Sequence, residues 1–73
     1  MFKATFESRN FTFEAYGETV DAALEALHKG WDEHVRQSGA TIPWSEVLED
    51  STVQPITLGG CYRDNEPLFR VGS

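Results

Sequence analysis

Cysteine is nearly absent from this chain, and that alone closes several routes. Cys61 is the single cysteine in 73 residues, so no internal disulfide can form and a cysteine zinc site within one chain has no ligand set. A cytoplasmic protein is the expectation. Basic residues are also scarce. Six Lys and Arg stand against twelve Asp and Glu, for a formal net charge of −6. Nucleic-acid binding needs a basic surface to displace counterions from phosphates, so direct contact with DNA or RNA is not expected. A basic protein partner suits this charge better, although an acidic surface also serves solubility alone. No apolar run reaches membrane-spanning length, and Met1-Phe2-Lys3 leads straight into an alternating pattern without an apolar leader. The sequence therefore reads as one soluble α+β domain over residues 1–73, complete as written.

Aromatics, by contrast, are plentiful, with five Phe, two Trp and two Tyr. They matter because a chain this short has just enough residues for a single core, and large rings bury much area at low entropy cost.

The longest periodic stretch runs from Thr19 to Gly39. Val20, Leu24, Leu27, Trp31 and Val35, with Ala23, recur at helical spacing on one side, which predicts a helix over 19–38 with that stripe buried. Asp21, Glu25, His28 and Asp32 form the opposite, mostly acidic face. Thr19 is the expected N-cap and Gly39 the left-handed residue that stops the helix. Gly30 is discordant inside it, and the expected reason is packing: a missing side chain beside Trp31 would let the indole lie flat on a sheet.

Strict alternation in residues 2–7 and 11–16 predicts two strands in a hairpin through Ser8-Arg9-Asn10, with Asn10 supplying a left-handed turn residue. Phe2, Phe6, Phe11 and Phe13 would form the floor on which the helix packs. After the helix, Ile42-Pro43-Trp44-Ser45-Glu46 reads as a loop, with Ser45 capping one short turn through Val47 and Leu48. Residues 51–58 read as a third strand, with Pro55 marking an edge or a bulge. Gly59-Gly60 reads as a bulge or a kink, Cys61-Tyr62 as the strand continued, and residues 67–71 as a fourth strand. The expected fold is ββαββ: an antiparallel four-stranded sheet with one long helix on one face. Its expected core includes Phe2, Phe6, Phe11, Phe13, Leu24, Leu27, Trp31, Ile56 and Leu58.

No catalytic constellation is legible, and no cofactor or metal is implied. His28 and His34, six residues apart, fall on different helix faces and do not share a metal. His28 among Asp21, Glu25 and Asp32 reads as a solvated face rather than a general base. Cys61, near Arg63, reads as an inert, half-buried thiol. Gly59-Gly60 lacks the following lysine and helix of a phosphate loop. The candidate partner-binding residues are Asp21, Glu25 and Asp32 on the helix, and Trp44, Glu46, Glu49 and Asp50 after it. Trp44 reads either as a lid on the core or as an interface anchor.

Two strands leading into Gly17-Glu18-Thr19-Val20-Asp21-Ala22-Ala23-Leu24-Glu25-Ala26-Leu27, then Gly39 and Ile42-Pro43-Trp44-Ser45, resemble the N-terminal domain of HicB-type antitoxins over residues 1–50. The "D-L-P-G-C" loop of that family has no counterpart here. The resemblance implies a related sheet-plus-helix scaffold. In general layout the chain is also similar to small phage-encoded inhibitors of bacterial defence, anti-CRISPR proteins among them. That likeness implies a non-enzymatic protein that occupies the nucleic-acid surface of a basic effector by charge mimicry. A HicB-like antitoxin relative is one alternative. A small oligomer that sequesters or hydrolyses a small molecule or nucleotide at a subunit interface is another, and a homodimer is left open.

Overall fold

In a strand, successive side chains point to opposite faces, so Phe2, Ala4 and Phe6 of β1 (Phe2–Glu7) share one side and Lys3, Thr5 and Glu7 the other. The computed structural model describes residues 1–64 and 66–69. Within them β1 is the central strand of a three-stranded antiparallel sheet. β2 (Thr12–Gly17) and β3 (Thr52–Pro55) lie on its two sides, in the order β2-β1-β3. Ala4 stands opposite Ala15 and Val53, and Phe6 opposite Phe13, so the small and aromatic residues form one continuous apolar face. Pro55, in register with Phe2, falls on an edge strand, one of the two placements, edge or bulge, that its sequence context allowed.

The helix α1 (Val20–Ser38) covers that face. The Thr19 hydroxyl accepts from the Ala22 N–H at 3.0 Å, and Gly39, at φ 72°, closes the other end by donating its N–H to the Val35 carbonyl. The core is Ala4, Phe6, Ala15, Ala23, Leu27, Trp31 and Val47, with Phe2, Phe13, Leu24, Val35, Trp44 and Val53 packed half-buried around it. Trp31 meets Phe6 and Phe13 edge-on, at centroid distances of 5.6 and 5.5 Å and interplanar angles of 82° and 78°. Its indole N–H donates to the Ile42 carbonyl, which ties the following segment to α1.

Several expectations need correction. The indole does not lie flat on the sheet, and a Cβ built on Gly30 would meet nothing within 4 Å, so Gly30 has no packing reason. The glycine that packing demands is Gly17, where a Cβ would come within 2.4 Å of the Ala23 nitrogen as β2 runs into the first turn of α1. Val20 and Phe11 are exposed rather than buried. Phe11 precedes β2 and sits in the hairpin turn. Ser8 closes that turn with its N–H and hydroxyl on the Phe11 carbonyl, and Asn10 has no positive φ. Trp44 is not in a loop. It opens a second helix, α2 (Trp44–Asp50), with Pro43 rather than Ser45 at the cap position.

The largest correction concerns the sheet. Beyond β3 the chain turns sharply at Leu58-Gly59, with Gly59 at φ 86° and the Gly60 N–H on the Thr57 carbonyl. It thereby leaves the sheet instead of continuing it. β4 (Tyr62–Arg63) and β5 (Glu66–Pro67) pair only with each other among the described residues. The fold is thus α+β, with a three-stranded sheet and a separate two-stranded ribbon in place of four strands. The radius of gyration, 13.3 Å, exceeds the roughly 11 Å of a compact chain of this length, and the longest extent is 45 Å. Leu58, expected in the core, is 78% exposed at the turn, and Cys61 is exposed as well. Arg70 and Val71 of the expected fourth strand lie outside the described residues. No helix of the described residues is long and apolar enough to cross a membrane.

Candidate functional site

Four residues of α1 at spacings of three and four define its outer stripe: Asp21, Glu25, His28 and Asp32. The three carboxylates are exposed. Glu25 has Lys29 at 3.7 Å and Asp32 has the His28 Nε2 at 3.7 Å, both one turn away along the helix. Exposed pairs of this kind contribute little to stability. Asp21 has no basic partner within 4 Å among the described residues.

His28 is half-buried rather than solvated, because Trp44 covers it. The two rings are parallel within 2° at a centroid separation of 4.3 Å. This stack joins two sets of candidate residues that the sequence places on separate elements. Trp44 brings the start of α2 against the acidic stripe of α1, while Val47, one turn on, is fully buried in the core. Trp44 therefore lids the core and flanks the stripe at once. On α2, the three- and four-residue spacings of Glu46, Glu49 and Asp50 put them on the side opposite Trp44, Val47 and Leu48, and all three are exposed.

Asp50 parts from the others. It ends α2 and, with Glu7, lines a hollow on the sheet face turned away from α1. The sequence reading grouped Asp50 with Trp44 and did not single out Glu7, Thr5 or Thr52. The signal for Glu7 and Thr5 was the alternation of β1, which sets them opposite the phenylalanines. Nothing in the spacing of residues 50–52 showed that α2 would deliver Asp50 there.

His34 belongs to neither group. Its ring lies 5.0 to 5.4 Å from those of Phe11, Phe13 and Trp31, at the hairpin end of the sheet. The two histidines thus serve different neighbours. Among the described residues, no three His, Cys, Asp or Glu side chains converge in a way that would hold a metal. The Glu33 carboxyl is held below the usual carboxylate range by the Arg36 guanidinium and then the Gln37 amide, which both donate to it. The Tyr16 phenol is pushed up by desolvation and by the Glu14 carboxylate to which it donates at 3.1 Å. The Gln54 Nε2 is buried without a partner among the described residues.

Comparison with known proteins found no family model, curated protein or solved structure that matches the chain.

Proposed function

We propose that the protein is a non-enzymatic, cytoplasmic binding module whose acidic surface neutralises a basic, nucleic-acid-binding protein, most simply as a phage-type inhibitor of a bacterial defence system. The supporting observation is the acidic stripe Asp21, Glu25 and Asp32, flanked by the half-buried Trp44 indole where α2 meets α1. A rigid helix presents carboxylates at fixed spacing, as a phosphate backbone presents its charges, and needs no ordering on binding. Net negative charge over such a face, three carboxylates beside the one ammonium of Lys29, speeds encounter with a basic surface and disfavours acidic partners. Glu46 and Glu49 extend the negative field from α2. Trp44, already engaged by His28 and the core, offers an aromatic rim to the contact rather than a free anchor.

Competition tests this reading. A protein captured from host lysate on the immobilised chain is mixed with its own nucleic acid, and the complex is followed by fluorescence anisotropy as the acidic protein is added. Displacement by the wild type, weakened in Asp21→Asn/Glu25→Gln/Asp32→Asn, supports the proposal. Ternary complex formation without displacement contradicts it.

A second reading, as a relative of HicB-type antitoxins, draws on the β1-β2-α1 order and the Gly17-Glu18-Thr19 entry into the helix. A toxin gene adjoining this one would favour that reading.

A further inference from the structure

The two edges of the sheet differ in what they offer a further strand. In an antiparallel ladder, alternate residues turn both backbone groups toward the same neighbour. The Ser8 N–H on the directly opposite Phe11 carbonyl sets the phase, so Phe13, Ala15 and Gly17 bond to β1 while Thr12, Glu14 and Tyr16 turn their N–H and C=O groups outward. On β3 the Ile56 N–H on the Met1 carbonyl sets the phase, and the outward residues are Val53 and Pro55. Pro55 has no N–H to donate, so that edge is guarded. β2 has no proline, no lysine and no bulge in its register with β1, and no strand lies beyond it among the described residues.

We propose that β2 pairs antiparallel with β2 of a second copy of this chain, about a two-fold axis through Ala15, joining the two three-stranded sheets into one. Charge selects this register. An axis at Glu14 would set Glu14 against its own counterpart, and an axis at Tyr16 would set Glu14 against Glu18; like charges directly opposite are destabilising. The axis at Ala15 sets Glu14 against the second copy's Tyr16, a hydroxyl that already donates to the Glu14 carboxylate within the chain, at 3.1 Å. On the helix side it sets Phe13 against Gly17, covering a bare strand position with an aromatic ring.

The helix supplies an independent fit. α1 runs back along β2, from Ala22 and Ala23 over Gly17 to His34 beside Phe11 and Phe13. Two residues of strand span roughly the rise of four of helix, so Ala26 stands level with Ala15. His28 faces Trp44 and α2, which leads into β3. Ala26 and Gly30, two residues before and after it, therefore fall on the flank toward the open edge of β2, with Ala22 one turn earlier. The axis passes Ala26 against its counterpart and Ala22 against the second copy's Gly30. Neighbouring helices pack at about 8–10 Å, and alanine-sized side chains permit that approach. Phe11 and Val20, apolar yet exposed, stand four residues before and five after Ala15, so the axis carries each Phe11 toward the second copy's Val20 at the ends of the seam. The acidic stripe lies on the His28 side and stays free on both copies.

Sedimentation velocity of the full chain over a micromolar-to-millimolar series tests the pairing. Expected is a concentration-dependent step from one chain mass to two. Each chain carries −6, so the dimer should tighten as salt screens the repulsion. Glu14→Pro removes an outward N–H and leaves the β1 ladder intact, and should weaken dimerisation by at least about tenfold. Gly30→Gln should do the same from the helix, because a side chain there meets nothing within 4 Å in the single chain. Circular dichroism of both variants at low concentration should match the wild type. In a mixture of labelled and unlabelled chains, isotope-filtered NOE spectra should place the Ala15 Hα of one copy against that of the other, as for an opposite pair without hydrogen bonds. A chain monomeric throughout, a dimer unweakened by either substitution, or an absent Ala15 contact would overturn the proposal. So would β2 amides that respond only to the captured basic protein, which would put that protein's strand on the edge instead. None of these readouts depends on displacement of nucleic acid, so the two proposals fail separately.

Discussion

The imidazole of His28 lies face to face with the indole of Trp44, the planes 2° from parallel and the centroids 4.3 Å apart. It joins α2 to α1 beside two further ties, Val47 packed in the common core and the Trp31 indole bonded to the Ile42 carbonyl. Stacked aromatic pairs contribute about 0.5–1.5 kcal/mol beyond the area they bury. A double-mutant cycle with His28→Ala and Trp44→Ala, read by urea denaturation, should return a coupling energy in that range. Additivity of the two substitutions would show that the stack contributes nothing and that α2 is held by its packing on the core.

Core and turn residues should separate cleanly in stability. Leu27→Ala removes a buried side chain and should destabilise by about 2–5 kcal/mol. Leu58→Ala, at an exposed turn, should stay within about 0.5 kcal/mol of the wild type. Equal losses in chemical denaturation would mean that the segment after β3 packs on the sheet after all.

The two glycines at the helix should respond in opposite directions. Gly30→Ala meets open space in a helix interior and should stabilise by about 0.4–1 kcal/mol, mainly by restricting the unfolded chain. Gly17→Ala drives a methyl into the backbone of Ala22 and Ala23 and should destabilise by at least about 1–3 kcal/mol. Thermal melts of the two variants, shifted in the same direction, would contradict the placement of β2 against α1.

These positions also show what was legible in the sequence and what was not. Thr19 and Gly39 bracket α1 through capping chemistry that operates within a few residues, so the helix boundaries could be read locally. The alternation of β1 and β2 fixed which faces carry Phe6 and Phe13. Phe11 keeps to that face, its ring beside those of Phe13 and His34, but at the turn that Ser8 closes it stands at the end of the sheet and stays exposed. The sheet edge was illegible for a different reason. Gly59 serves a bulge, a kink or a tight turn equally well, and only the left-handed geometry it adopts decides that the chain leaves the sheet. The site was half visible. Asp21, Glu25 and Asp32 follow from helical period, but the meeting of His28 with Trp44, and of Asp50 with Glu7, depends on how α2 docks.

Acid should weaken the end of α1 in a defined direction. The Glu33 carboxyl is held below its ordinary range in the folded chain, chiefly by Arg36. Its contribution is therefore fully present above the ordinary carboxylate range and is lost as pH falls through the lowered folded value. The wild type should exceed Glu33→Gln slightly in denaturation midpoint at neutral pH, with the two converging in acid. A gap that widens on acidification would reverse the sign and rule the pairing out. The pair is fully exposed, so the effect is small and screened by salt.

The acidic-module account rests most directly on the salt dependence of association with the captured partner, measured by surface plasmon resonance for the wild type and two variants. One neutralises Asp21, Glu25 and Asp32, and the other Glu46, Glu49 and Asp50. Charges steer encounters over a Debye length of about 8–10 Å near physiological salt, so the wild-type on-rate should fall as salt rises from low to physiological concentration. Neutralising the α1 stripe should lower the on-rate and flatten that dependence more than neutralising α2. An on-rate insensitive to salt and unchanged in both variants would contradict the account and point instead to an apolar contact or to pairing at an open strand edge.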